Sequence, residues 1–216
     1  MQDNIRFAWF EDQLILLNIA GDTYTVLSAE HSRKLLLHAR TVAERTADFG
    51  IFCTQLSDFA IESITSNRRI HYTGVSQNCW RLMKQDVSTP HCTTLVLLAL
   101  RALHLVHQRS AVRRLAGLKQ LIERAQVRRE LTPKCELGEL VRALNAACML
   151  YYRKTKCLEW SGALALVGYR FGYDLRLIVG VQNRPFYAHA WIEHEGHTVG
   201  DDPDLRKQLA VILEIN

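Results

Sequence analysis

The sequence predicts an α+β protein of two domains, which we place at residues 1–80 and 81–216. Three observations lead to this fold class. Short strand-like segments recur near the N-terminus, helical periodicity dominates the middle of the chain, and an alternating pattern returns around residue 189. With 216 residues, 48% of them hydrophobic, the chain is long enough to form two small cores.

The N-terminal segments predict three short strands followed by a helix. The sequences IRFAWF, LILLNI and TYTVLS are separated by Glu-Asp and Gly-Asp turns. We expect the third strand to run from Asp22 to Leu27, with Tyr24 and Val26 on one face and Thr25 on the other. A helical run begins at Ala29. On its own, this pattern indicates an ordinary three-stranded sheet with one free edge.

The middle of the chain predicts helices that a polar linker, residues 66–78, joins to the first domain. Helical periodicity marks the segments Thr93–Gln108, Val112–Val127 and Leu137–Arg153. The net charge is +5, and a basic stretch runs from Arg109 to Arg129. Such a stretch is usually a solvated helix face, and no RNA-binding motif accompanies it, so we expect no nucleic-acid partner.

Cys157 is the candidate nucleophile. The apolar residues after it recur at helical spacing, and Thr155 is the expected N-cap, which places the cysteine in the first turn of a helix. Free N–H groups, the helix dipole and the nearby charges of Lys154 and Lys156 all favour a thiolate there. A single cysteine is nevertheless more often a buried structural residue, which is our interpretation of Cys53, Cys79, Cys92, Cys135 and Cys148.

A predicted hairpin brings His189 to an acid. The run from Phe186 to Glu193 alternates, as in a strand with one polar face. A three-residue loop ending in a bulge at Gly196 pairs His189 with Asp201, whereas a two-residue loop pairs it with Asp202. The turn does not choose between the two acids. Alternatively, the segment is a surface hairpin whose histidine only packs beside a tryptophan.

Thiol, imidazole and carboxylate in this order are the components of a Cys-His-Asp set. The segment from Cys157 to Asp202 resembles the leader peptidase of lasso-peptide biosynthesis, the B protein. That family belongs to the transglutaminase-like branch of the papain-type cysteine proteases. The resemblance lies in Cys157-Leu158, Ser161, Ala163-Leu164, Leu177–Val181, Pro185–Glu193 and Gly196–Asp201. Its spacing favours Asp201 as the acid, while Gly200 is a departure, because an asparagine often stands there.

The N-terminal β-β-β-helix pattern resembles the precursor-recognition element of ribosomal-peptide maturation enzymes, a winged-helix-like domain. This resemblance implies that a leader peptide adds a strand beside the third strand, contacting Tyr24, Thr25 and Val26. The fold class we expect is therefore a winged-helix-like recognition domain followed by a papain/transglutaminase-like cysteine protease domain.

The resemblance also implies a function and partners. Cys157 would attack the peptide bond between leader and core, His189 would transfer the proton, and Asp201 would orient the imidazole. The substrate would be a ribosomal precursor peptide, and the partner an asparagine-synthetase-like lasso cyclase. Two other functions stay open: a transglutaminase or amide acyltransferase that uses the same three residues, and a non-catalytic peptide carrier.

We expect no cofactor, metal or membrane segment. His194 and His197 flank a turn without further ligands at metal-binding spacing, and no phosphate-binding loop is present. The apolar run from Thr93 to Val106 is too short and too polar to span a bilayer. Without a signal peptide, six unpaired cysteines indicate a cytoplasmic protein with reduced thiols.

Overall fold

A computed structural model describes residues 4–48, 71–75, 92–130 and 135–216, with side chains described only to residue 39 in the first range. The chain divides into two compact units. The first comprises Met1–Ser76, Gly180–Ala188 and Arg206–Leu213, and the second comprises Gln77–Val179, His189–Leu205 and Glu214–Asn216. The predicted boundary at residue 80 and most of the predicted linker lie outside the described residues, so both stay predictions.

The three predicted N-terminal strands are confirmed. They are β1 (Ile5–Phe10), β2 (Gln13–Asn18) and β3 (Thr23–Val26), and they form an antiparallel sheet in the order β1-β2-β3. The helix α1 (Ala29–Asp48) follows, and it begins at the predicted residue. Its inner face packs on the sheet through a small apolar cluster formed by Trp9, Leu14, Leu36 and Ala39.

The helical middle of the chain contains α2 (Thr93–Val127) and α3 (Leu137–Leu150). Two helices were predicted within α2, with a gap at residues 109–111, but the break lies at Arg114, where φ is 49°. Gly117 lies close to the chain before the break, because a Cβ there would lie 2.7 Å from the Cβ of Arg113 and 3.0 Å from the carbonyl oxygen of Arg109. The glycine therefore allows the two helical segments to meet closely.

The rest of the chain forms α4 (Cys157–Arg170) and a second sheet, in which β5 and β6 pair antiparallel. Its strands are β4 (Leu175–Asn183), β5 (Phe186–His194), β6 (His197–Val199) and, after the short helix α5 (Leu205–Gln208), β7 (Ala210–Ile215). The strand order is β6-β5-β4-β7, so β6 lies at an edge. A three-stranded sheet followed by helices and a second sheet confirms the predicted α+β class.

Among the helices of the described ranges, none combines the length and the apolar character that a membrane crossing requires. The basic stretch of α2 is largely solvent-exposed, including Arg109, Arg113 and Arg124, as expected for a solvated helix face.

Candidate functional site

The α4 helix begins at Cys157, so the cysteine lies in the first turn, as predicted. The predicted N-cap, Thr155, is wrong: the cap residue is Lys156. The hydrogen bond at the helix start comes from a residue within the helix: the backbone N–H of Lys156 donates to Oε2 of Glu159 at 3.1 Å. The carboxylate at the third helical position thus supplies one half of a capping box by accepting the N–H of the cap residue, and the Cys157 N–H lies at the positive end of the helix dipole.

The hairpin that carries His189 closes by a two-residue turn. The pairs Ile192↔Val199 and His194↔His197 leave only Glu195 and Gly196 in the loop, so the predicted three-residue loop with a bulge is wrong. Both turn residues have positive φ, 50° and 81°. A type I′ hairpin turn, whose twist matches that of the flanking strands, requires positive φ at both positions. The prediction failed because it assigned positive φ to the glycine alone.

His189 nevertheless contacts Asp201. Its Nε2–H donates to Oδ2 of Asp201 at 2.8 Å. Continuing the observed ladder would place Asp202 opposite His189, but β6 ends at Val199 and Gly200 adopts a φ of +69°, which turns the chain. Asp201 also accepts the Asp202 N–H through Oδ1 at 2.9 Å, so both of its oxygens are engaged.

The imidazole of His189 is buried, with 3% of the residue exposed. It is stacked against the Trp191 ring at a centroid distance of 6.1 Å, it hydrogen-bonds Asp201, and the Cys157 side chain lies close enough to raise its pKa. Burial lowers the pKa of His189, but the hydrogen bonds and charges of Asp201 and Cys157 outweigh it and raise the pKa to about 9. Because Nε2 is bonded to the carboxylate, Nδ1 is the nitrogen left for the thiol.

A serine fixes α4 to the strand of the histidine. Ser161 is fully buried, and its Oγ donates to the carbonyl oxygen of Ala190 at 3.1 Å. Ser161 follows Cys157 by one helical turn, and Ala190 follows His189 directly, so this bond sets the separation of thiol and imidazole. Sequence reasoning gave Ser161 no role, although a lone hydroxyl on an otherwise apolar helix face was the available signal.

The other described cysteines have different surroundings. Burial raises the pKa of Cys148 to about 11, and burial likewise raises the pKa of Cys135, as expected for structural thiols. Cys92 is exposed, so its interpretation as a buried residue is wrong. Cys53 and Cys79 lie outside the described residues.

The residues predicted to contact a leader lie on β3, at the edge of the first sheet. The Tyr24 ring packs on Phe186 with centroids 5.4 Å apart, while Thr25 and Val26 are exposed. The Leu27 N–H donates to Leu14 O at 2.9 Å, so the backbone N–H of Leu27 points toward β2. By the alternation of an antiparallel ladder, Thr25 also faces β2 and the backbone N–H of Val26 points to the outer edge.

Comparisons with known proteins match the second part of the chain. The family described as the transglutaminase-like superfamily matches residues 95–214. The microcin J25-processing protein McjB of Escherichia coli is 40% identical over 62 residues, which are 29% of this chain and 30% of that protein. The chain therefore matches less than a third of that relative's length. No solved structure gives a significant match.

Proposed function

The chain belongs to the transglutaminase-like superfamily, and from that membership we propose that it is a cysteine endopeptidase of lasso-peptide maturation. It removes the leader of a ribosomally made precursor at the leader–core junction. The observation that carries this proposal is the buried imidazole of His189, which hydrogen-bonds Asp201 at 2.8 Å and whose pKa is raised by both Asp201 and the Cys157 side chain. The partial likeness to a microcin-processing protein supports a ribosomal peptide as the substrate.

The geometry supports a thiolate mechanism. Because the pKa of His189 is raised to about 9, the imidazole is a base able to take the proton of the Cys157 thiol and hold it as the thiol attacks. The thiolate attacks the scissile carbonyl carbon, and the oxyanion that forms is stabilised by the backbone N–H of Cys157 at the start of α4. His189 then gives its proton to the leaving amine, and water releases the leader carboxylate from the thioester.

Asp201 acts on the imidazole and not on the substrate. Its carboxylate accepts the Nε2–H of His189, which keeps Nδ1 directed at the thiol and stabilises the imidazolium. The leader binds elsewhere, as an added strand at the outer edge of β3, where Tyr24, Thr25 and Val26 lie. The freed core N-terminus is the group that an asparagine-synthetase-like cyclase then joins to a side-chain carboxylate, so this cyclase is the proposed partner.

Product masses test the reaction. When the protein is incubated with its precursor, we expect two fragments whose summed mass exceeds that of the precursor by one water. An acyl transfer would instead join the acyl group of a carboxamide side chain to an amine with loss of ammonia, and a peptide carrier would leave the precursor unchanged. Mass spectrometry of the reaction mixture distinguishes these three outcomes, and only the first agrees with a peptidase.

A proline at Val26 tests strand addition at β3. Val26→Pro removes an N–H that points to the outer edge and leaves the β2–β3 ladder bonds in place. We expect leader affinity to fall by about tenfold or more, from one lost backbone hydrogen bond and a distorted edge. The measurement is fluorescence polarisation of a labelled leader on full-length protein carrying Cys157→Ala, which keeps the leader uncut.

The matched control is Val26→Ala, which removes most of the side chain and keeps the N–H. We expect it to weaken binding by less than about fivefold, because Val26 is already 37% exposed. Equal losses in the two variants would assign the contact to the side chain and contradict strand addition. A second series uses leader peptides N-methylated at single positions, for which strand addition predicts losses at every second residue.

A further inference from the structure

The turn that presents Asp201 lies directly on a tryptophan. A Cβ built on Gly200 would lie 2.7 Å from Cη2 and 3.2 Å from Cζ2 of Trp160, and 3.5 Å from Cγ1 of Val141. Real Cβ atoms do not approach an aromatic carbon to 2.7 Å, so the backbone at this position rests on the ring with no room for a side chain. The left-handed φ of +69° also favours glycine at this residue.

The tryptophan itself is fixed. Trp160 is 2% exposed, and its Nε1–H donates to Oδ1 of Asn145 on α3 at 2.8 Å. A buried indole that is hydrogen-bonded in this way cannot rotate without leaving a buried donor unsatisfied. The ring is therefore held in one orientation, and the segment that follows β6 packs on it.

Packing on the Trp160 ring determines which of the two acids contacts His189. If β6 continued in the register of Ile192↔Val199, residue 202 would stand opposite His189. The chain instead turns at Gly200, and the carboxylate of Asp201 reaches the imidazole at 2.8 Å. Asp202 then binds the Asp204 N–H through its own Oδ1 at 2.9 Å. The turn on Trp160 thus separates two adjacent acids.

We propose that Trp160, held by Asn145, is a positioning residue for the acid of the site, and that it acts through the bare backbone of Gly200 to select Asp201 over Asp202. The proposal rests on the proposed function, in which Asp201 orients His189. It adds α3 to the elements that determine the geometry of the site. No atom of Trp160 or Asn145 takes part in the chemistry.

Gly200→Ala is the direct test, and Gly196→Ala is its matched control. Both glycines have positive φ, +69° and +81°, but a Cβ at Gly196 would meet nothing within 4 Å. The two variants therefore share the backbone strain, and only the first pushes against Trp160. We expect kcat to fall by tenfold or more in Gly200→Ala, since a displacement near 1 Å can reduce a rate by about a hundredfold. We expect Gly196→Ala to stay within about twofold.

A readout independent of activity is the pKa of His189, measured by NMR in protein with ¹³C-labelled histidine and assigned by comparison with His189→Ala. In Gly200→Ala the pKa of His189 should fall from about 9 toward the ordinary value, because the carboxylate moves away. It should not change in Gly196→Ala. An unchanged pKa in folded Gly200→Ala would overturn the proposal.

Two further variants complete the test. In the Asp201→Asn background, Gly200→Ala should lower kcat no further, and an equal loss in both backgrounds would mean that the glycine acts by another route. Trp160→Phe removes the ring edge under Gly200, so it should also lower the pKa of His189. If Gly200→Ala does not fold, Trp160→Phe decides, and an unchanged pKa in that variant overturns the proposal.

The outcomes for the two proposals can be told apart. If the wild-type protein cuts no precursor, the peptidase assignment fails, but the NMR comparison still shows whether Trp160 positions the acid. If cleavage occurs and the pKa of His189 is the same in all variants, the peptidase assignment stands and the positioning role is wrong.

Discussion

Cys157→Ala is expected to eliminate cleavage of the precursor, with a loss in kcat of at least about a thousandfold, while leader binding is retained. The reason is that, among the described thiols, Cys157 is the one that acts on the His189 imidazole. Burial raises the pKa of Cys148 and of Cys135, which keeps both as neutral thiols near neutral pH. Cleavage is measured by chromatography with mass spectrometry, and binding by fluorescence polarisation.

The matched control is Cys148→Ala, which removes a half-buried thiol from the neighbouring helix α3. We expect it to cleave at a rate close to that of the wild type, with a modest loss of thermal stability from the small cavity. If Cys157→Ala still cut the precursor at a comparable rate, the nucleophile would be misassigned. If both variants were inactive, loss of folding would be the explanation to examine by circular dichroism.

The second large effect is expected at Asp201. Asp201→Asn should lower kcat by about a hundredfold to ten-thousandfold, because an amide cannot stabilise the imidazolium and favours the wrong tautomer. Asp202→Asn should stay within about threefold, since the Asp202 carboxylate accepts the Asp204 N–H and the pKa of His189 is raised by Asp201 and Cys157. The measurement is kcat for both purified variants at saturating precursor. A larger loss of kcat in Asp202→Asn than in Asp201→Asn would mean that Asp202 is the acid that acts on His189.

The pH dependence should report the same contact. The pKa of His189 is raised to about 9, so activity should fall as pH rises through about 9, where the imidazolium loses its proton. In Asp201→Asn this alkaline limb should move to lower pH.

The free energy of unfolding should also depend on pH. Because the folded-state pKa of His189 lies above the unfolded value of about 6.5, the contribution of His189 to stability is complete below pH 6.5 and is lost between about 6.5 and 9. Its size is on the order of 3 kcal/mol, which denaturant titrations at pH 6 and 9.5 can measure.

The sequence was sufficient to predict the three N-terminal strands and the start of α4, because both follow from local periodicity. It was not sufficient for the helix cap at Lys156. There, Glu159 satisfies the backbone from inside the helix, and this competes with a cap hydroxyl at Thr155. It was also not sufficient for the break in α2, which depends on two segments meeting at Gly117, a contact that no local pattern contains.

The contact between His189 and Asp201 was predicted through an incorrect turn. A bulged loop would have paired these two residues directly, whereas the structure has a two-residue turn and brings Asp201 into place by a second change of direction at Gly200. That change requires the surface of Trp160, which is distant in sequence and cannot be inferred from hairpin rules. The residue spacing of the family that the sequence resembles also favoured Asp201, and that inference did not depend on the geometry of the turn. The catalytic roles of the three residues remain proposals.

The strand β6 has a consequence for how the site responds to heat. It has only three residues and lies at the edge of its sheet, whereas Ser161 and Ala190 join α4 to the interior strand β5. Short edge strands are where native proteins open first and where amide hydrogens exchange fastest. We expect partial opening on warming to begin at this strand and to release the acid while the thiol and imidazole stay together. The protein would then pass through a state with an intact nucleophile and a weakened base before it unfolds.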